Sequence, residues 1–170
     1  NQDGNGIGDF YYSPPSGYLA LCSDNLSDPS IADPTKHFNT VLYSGNDTSQ
    51  SISGVGFSPE LLWLKLRTAN NSVGNQSHSL QDIVRGAQKQ LSSDSNHVEW
   101  SETDYVTSFD SDGFSVGSST AVNDSGNNYV TWNWKAGGTA VSDSSGDITV
   151  SRSTNTDNGI SIISYTGNQD

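Results

Sequence analysis

Several carboxylates in this 170-residue chain have spacings that invite metal or acid–base chemistry. In "TSFDSDGFSVG", residues 107–117, Asp110 and Asp112 stand two apart ahead of Gly113, like the opening of a calcium loop. Such a loop needs oxygen ligands at positions one, three and five, glycine at six and glutamate at twelve. Counting from Asp110, position five is Phe114, which has no ligating atom. The stretch reads instead as two short strands turning at Asp112-Gly113, with Gly113 supplying a positive φ. "DGNGIGD", with Asp3, Asn5 and Asp9, is a second suspect, but Ile7 and Pro14 stand where ligands are required. It is expected to be a polar loop, with a loop-bound calcium kept as the alternative.

Other chemistries find little support. His37, His78 and His97 lack zinc spacing, and the lone Cys22 forms no internal disulfide and follows "YLAL" as a small buried hydrophobe. "GFSVG" fits the nucleophile elbow around Ser115, but no helix follows. Glu99 and Glu102 flank Trp100. As a pair they could serve glycoside hydrolysis, although carboxylates three apart in a polar loop are usually solvated. No catalytic, cofactor-binding or metal-ligating residue is assigned. Trp100 and Tyr105 are the candidate glycan contacts, because exposed aromatic rings offer sugars a flat apolar face. Asp82 and Arg85 are expected to order a loop as an ion pair. Asn-x-Ser/Thr sequons begin at Asn25, Asn46, Asn70, Asn75 and Asn123.

The elements that must position these residues follow from composition. Only 31% of the chain is apolar, and Ser, Asn, Asp, Gly and Thr dominate the remainder. Those side chains compete with a helical backbone for hydrogen bonds and suit short strands joined by turns. In "ELLWLKLR", Leu62, Leu64 and Leu66 share one face, with Leu61, Trp63, Lys65 and Arg67 on the other. In "NYVTWNWKA", Val130, Trp132 and Trp134 alternate with Tyr129, Thr131, Asn133 and Lys135. Hydrophobicity assigns Leu62, Leu64, Leu66, Phe109, Phe114, Val130, Trp132 and Trp134 to the core. "SLQDIVRGAQKQL" is the one candidate helix, weakened by Gly86. The expected fold is an all-β antiparallel sandwich of the jelly-roll or concanavalin-like kind.

The net charge is −12, with seven Lys and Arg scattered along the chain, which disfavours nucleic acid and anionic membranes as partners. The run Leu61–Leu64 ends at Lys65 and is too short to insert into a bilayer. The chain has no Met, so Asn1 is not an encoded start and a fragment or processed product is expected. "FNTVLYSGN" (38–46) and "GISIISYTGN" (159–168) form a weak repeat that aligns Tyr43 with Tyr165. The chain divides into residues 1–26 as the end of a preceding β module, 27–37 as a linker with two Asp-Pro pairs, and 38–138 as a sandwich module. Residues 139–158 then read as a linker with the short strand "DITVS", and 159–170 as the start of a following module.

Two stretches carry a family resemblance. "GDFYYSPPSGYLALCSDNL" resembles the last strands of a SPRY-like, concanavalin-type sandwich found in large phage structural proteins. The ordered set "FNTVLYSGN", "GVGFSPELLWLKLR", "SHSLQDIVRGAQKQLSS", "TSFDSDGFSVGS" and "NDSGNNYVTWNWKAGG" resembles a repeat module of tail-fibre and appendage proteins of tailed marine bacteriophages. The resemblance implies a structural or host-attachment role on a virion surface or otherwise outside the cell. It implies copies of itself (a homotrimer among them) or other appendage proteins as partners, a host cell-surface glycan as ligand, and no enzymatic activity. The alternatives are a glycan-binding adhesin module of a microbial surface protein, dependent on calcium or not, and a polysaccharide-degrading tailspike.

Overall fold

A computed structural model describes residues 1–68 and 76–168. The chain divides into two compact units, Asn1–Ala32 and Asp33–Asp170. The division falls inside the Asp-Pro stretch expected to link modules. No helix among the described residues is long and apolar enough to cross a membrane.

The first unit is organised by one carboxylate. Asp3 Oδ1 accepts from the Asn5 and Ile7 amides at 2.9 and 3.0 Å. Its Oδ2 accepts from the Ala20 amide and Asn25 Nδ2, both at 2.7 Å. These donors, the Ala20 amide foremost, hold the Asp3 pKa down at about 2. Residues 9–26, expected to be strands, contain none; a single 3₁₀ turn spans Ser23–Asn25. A strand needs a paired neighbour and a second layer over its apolar side chains, and this unit supplies neither. Tyr11, Tyr12, Tyr18 and Leu21 accordingly point outward. Cys22 is half-buried rather than a core residue.

The second unit is β-rich. Its described strands are β1 (Phe38–Ser44), β2 (Gln50–Ser53), β3 (Leu61–Thr68), β4 (Ser79–Asp82), β5 (Gly86–Leu91), β6 (Trp100–Ser101), β7 (Val106–Asp110), β8 (Gly113–Val116), β9 (Asn128–Trp134), β10 (Val141–Asp143), β11 (Val150–Asn155) and β12 (Ile160–Tyr165), with a 3₁₀ turn at Pro34–Lys36 and one α-helical turn, α1 (Thr120–Asn123). Among the described residues they form three antiparallel sheets, ordered β1-β9-β3-β4-β5-β6, β2-β8-β7 and β10-β11-β12. The six-stranded sheet and the β2-β8-β7 sheet enclose one core of Ile52, Leu62, Leu64, Leu66, Val106, Phe114, Val116 and Tyr129, closed by Val122 of α1. The fold is an all-β antiparallel sandwich.

The alternation in β3 holds: Leu62, Leu64 and Leu66 are buried. The assignment for β9 is reversed. Register pairs Leu62 with Asn133, Leu64 with Thr131 and Leu66 with Tyr129, so those residues share the inner face. Val130, Trp132 and Trp134 lie on the outer face, where Trp132 meets Trp63 across the strands at 5.9 Å between ring centroids. The space inside is already taken by Tyr129, which stacks on Tyr43 at 5.1 Å, and by Phe114. Among the inward polar groups, Asn133 Nδ2 donates to Thr131 Oγ1 at 3.0 Å and to the Asn39 carbonyl at 3.1 Å, whereas Asn133 Oδ1 has no partner.

The candidate helix over residues 79–91 is the hairpin β4–β5. Asp82 Oδ1 accepts from the Val84 and Arg85 amides, and the Arg85 Nε–Asp82 Oδ2 pair closes the turn at 2.6 Å. The ion pair expected from sequence is therefore present, and it specifies a turn. "TSFDSDGFSVG" is the hairpin β7–β8, with Asp110 opposite Gly113 and the turn at Ser111-Asp112, one residue earlier than expected. Gly113 is close to fully extended, and crowding explains the glycine: a Cβ would sit 1.9 Å from the Ile52 carbonyl oxygen. The strand expected at "DITVS" begins at Val150 and runs to Asn155 as β11. Residues 139–165, expected as a linker and the start of another module, belong to the same compact unit as the sandwich. Tyr43 and Tyr165, the aligned pair of the weak repeat, differ in setting: Tyr43 packs on the core, whereas Tyr165 is exposed.

Candidate functional site

The carboxylates that resemble metal ligands are occupied by protein donors. Asp110 accepts from the Ser108 and Ser115 hydroxyls at 2.8 and 2.7 Å. Asp112 accepts from the Gly54 and Gly56 amides at 3.1 and 2.7 Å, tying the β7–β8 turn to the loop after β2. Ser115, the nucleophile-elbow candidate, is engaged with Asp110 and Ser51. Among the described residues, no three His, Cys, Asp or Glu side chains converge as a metal centre.

Trp100 and Tyr105, by contrast, are brought together. β6 is short, but its register sets Trp100 opposite Gln90 of β5, on the inner face. Tyr105 immediately precedes β7, and α1 contributes Ala121 and Val122. These residues line a cavity of about 220 Å³ with Ser79, Ser92 and His97. The His97 ring meets Trp100 edge-on at 6.2 Å. Gln90 is immobilised: its Nε2 donates to the Leu91 carbonyl at 2.9 Å and the His78 carbonyl at 3.3 Å, and its Oε1 accepts from Ser79 Oγ at 2.6 Å. Gln81 Nε2 also donates to Gln90 Oε1. Ser92 Oγ donates to the His78 carbonyl at 3.0 Å. Burial, and then the neighbouring Glu102 charge, raise the Tyr105 phenol, which stays protonated at neutral pH as donor and acceptor. An indole, a phenol, a fixed amide and hydroxyls around one small cavity suit a hydroxylated ligand with an apolar face.

Neither Glu99 nor Glu102 lines that cavity. Glu99 is exposed and within 3.3 Å of Arg85 NH1. The two carboxylates therefore do not flank this cleft as an acid and its partner would. Asn123 is fully buried, so its sequon is inaccessible in the folded chain. Asn25 is spent on Asp3 and the Ala20 carbonyl, Asn46 is exposed, and Asn70 and Asn75 lie outside the described residues.

Sequence reasoning missed the outer face of the six-stranded sheet, where Trp63, Trp132, Trp134 and His78 line a second cavity of about 220 Å³. Trp63 Nε1 donates to His78 Nδ1 at 2.6 Å, which fixes both rings. Lys65 and Arg67 share the strand face of Trp63, and that was the available signal that this face meets solvent. No curated protein and no solved structure matches the chain. Residues 33–170, a stretch that begins where the second compact unit begins, match the domain of unknown function DUF7483, and the chain belongs to that family.

Proposed function

We propose that the chain is a structural and adhesion module of a virion appendage of the tail-fibre kind, and that it contributes to host attachment by glycan contact at the Trp100–Tyr105 cavity. The appendage context rests on the ordered motifs across residues 38–138 that resemble tail-fibre repeat modules. The observation that carries the glycan contact is the convergence of Trp100, Tyr105 and the immobilised Gln90 on one cavity. Trp100 stacks on the apolar face of a sugar ring, while the Tyr105 hydroxyl addresses its hydroxyl groups and the fully bonded Gln90 amide forms a fixed wall. The acidic surface keeps the module soluble and suits a neutral glycan better than an anionic one.

A glycan array probed with the chain, with and without chelator, tests this reading. The expected result is binding that survives chelation and is lost in Trp100→Ala and Tyr105→Ala. Chelator-sensitive binding would move the site to a calcium-bearing loop, and binding unchanged in both variants would remove the cavity from the proposal. Release of reducing ends from host polysaccharide, lost in Glu99→Gln or Glu102→Gln, would replace adhesion by a tailspike activity.

A further inference from the structure

One rank of residues lies just beyond the strand ends where Phe38, Trp134 and Leu61 pair side by side. His37 precedes β1, Lys135 follows β9 and Glu60 precedes β3, held in place by Lys135 N to the His37 carbonyl and Glu60 N to the Trp134 carbonyl, both 2.9 Å. The alternation of a strand turns this rank away from the outer tryptophan face. The β11–β12 hairpin covers it through Asn155 Nδ2 to the Ala136 carbonyl at 3.2 Å and Asn158 Nδ2 to the Lys135 carbonyl at 2.7 Å. Gly137 approaches Thr154 so closely that a Cβ would lie 2.0 Å from its carbonyl oxygen, so this wall admits no side chain. The result is an open cavity of about 470 Å³, lined by His37, Glu60 and Lys135 and by residues 136–138 and 154–157. That size falls within the range of pockets that hold small molecules, about 300–1,000 Å³.

Two buried polar atoms of residues that line this cavity have no protein hydrogen-bond partner. Glu60 is only 8% exposed, and its Oε2 has no hydrogen-bond partner. His37 Nδ1 is likewise buried and unpartnered. A buried carboxylate oxygen without a donor is among the costlier arrangements in a folded protein, and a cationic donor relieves it best. The outer rim is polar and accessible, with Thr156, Asp157 and Lys135 exposed. From this juxtaposition we infer that the cavity is a second ligand site, separate from the Trp100–Tyr105 cavity, and that it takes a small hydroxylated amine of the amino-sugar class. The ligand's primary ammonium group pairs with the Glu60 carboxylate, whose Oε1 lies toward Gly138 in the cavity wall. Its hydroxyl groups meet the rim at Thr156 and Asp157.

Amide-resolved NMR titration of the whole chain at neutral pH tests the assignment, with glucosamine, N-acetylglucosamine and ethanolamine as probes. Glucosamine is expected to give saturable shifts at Gly137, Gly138 and residues 154–157, and ethanolamine weaker shifts at the same amides. N-acetylglucosamine, which lacks the ammonium, is expected to give none there. Glu60→Gln is expected to weaken glucosamine binding at least roughly tenfold. Absence of saturable shifts, equal binding of the N-acetylated sugar, or undiminished binding by a folded Glu60→Gln variant would overturn the inference. Should that variant lose its dispersed spectrum, the comparison of the two sugars on the unmodified chain decides alone. Trp100→Ala leaves these shifts unchanged, which separates failure here from failure at the other cavity.

Discussion

Asp112 shows how a side chain with metal-ligand spacing is consumed by the backbone. Its carboxylate bridges the Gly54 and Gly56 amides from the β7–β8 turn and so ties the edge of the smaller sheet to the following loop. Asp112→Ala is expected to lower stability by about 1–2 kcal/mol in urea unfolding, with added calcium restoring nothing. Gly113→Ala is expected to be harsher, more than about 3 kcal/mol, because the new methyl group collides with backbone of β2 that cannot move without breaking the sheet. Asp3 gives a pH-dependent counterpart in the first unit. Its folded pKa, about 2, lies below the ordinary 3.8, so protonation is resisted by the fold. Its contribution is therefore fully present above the ordinary value and is lost as pH falls through the folded one. Following the Ala20 backbone amide and the Asn25 side-chain amide signals between pH 5 and pH 1 should show titration near the lower value, and a midpoint near 3.8 would contradict the four-donor arrangement.

At the scale of elements, legibility depended on whether a strand's own residues decide its face. β3 could be read directly, since three leucines alternate with Trp63, Lys65 and Arg67 and only one phase buries apolar atoms throughout. β9 could not, because both phases contain aromatic residues and the choice is made by register against β3 and by Tyr43 and Phe114 filling the interior. The β4–β5 hairpin is the one candidate helix of the sequence because periodicity does not show a turn, although the local Asp82–Arg85 pair that specifies the turn is legible there. The Trp100–Tyr105 pair was legible as aromatic residue types in a polar stretch, while Gln90 was not, since only the β5–β6 pairing places it beside Trp100. His37 and Glu60 belong to the same class of hidden information, since only the order β1-β9-β3 sets them on one rank, with Lys135 between them. The reversed face of β9 has an optical consequence. Trp63, Trp132 and Trp134 are all partly exposed, so tryptophan emission should be red-shifted relative to a core indole and readily quenched by acrylamide. Leu64→Ala, on the inner face, is expected to cost about 2–5 kcal/mol while leaving that quenching unchanged.

For the whole molecule, the division at Ala32 and Asp33 carries the main consequence. The second unit contains both sandwich sheets, the β10–β12 sheet and both candidate ligand cavities, and the family match begins at its first residue. Its core is contiguous and drawn from β2, β3, β7, β8, β9 and α1, so the residues that exclude water from one another all lie within it. The first unit, organised by Asp3 and rich in exposed tyrosines, has no comparable apolar cluster of its own. A chain beginning at Asp33 is therefore expected to fold with one cooperative thermal transition, its midpoint within a few degrees of the corresponding transition in the full chain. It should also keep the responses proposed for the two cavities, glycan binding that depends on Trp100 and glucosamine shifts that Glu60→Gln weakens. Calorimetry and the two ligand assays on the shortened chain check this together. Loss of the cooperative transition would mean that residues 1–32 complete the fold of the second unit. Loss of ligand responses with the transition intact would place part of a binding site in those residues.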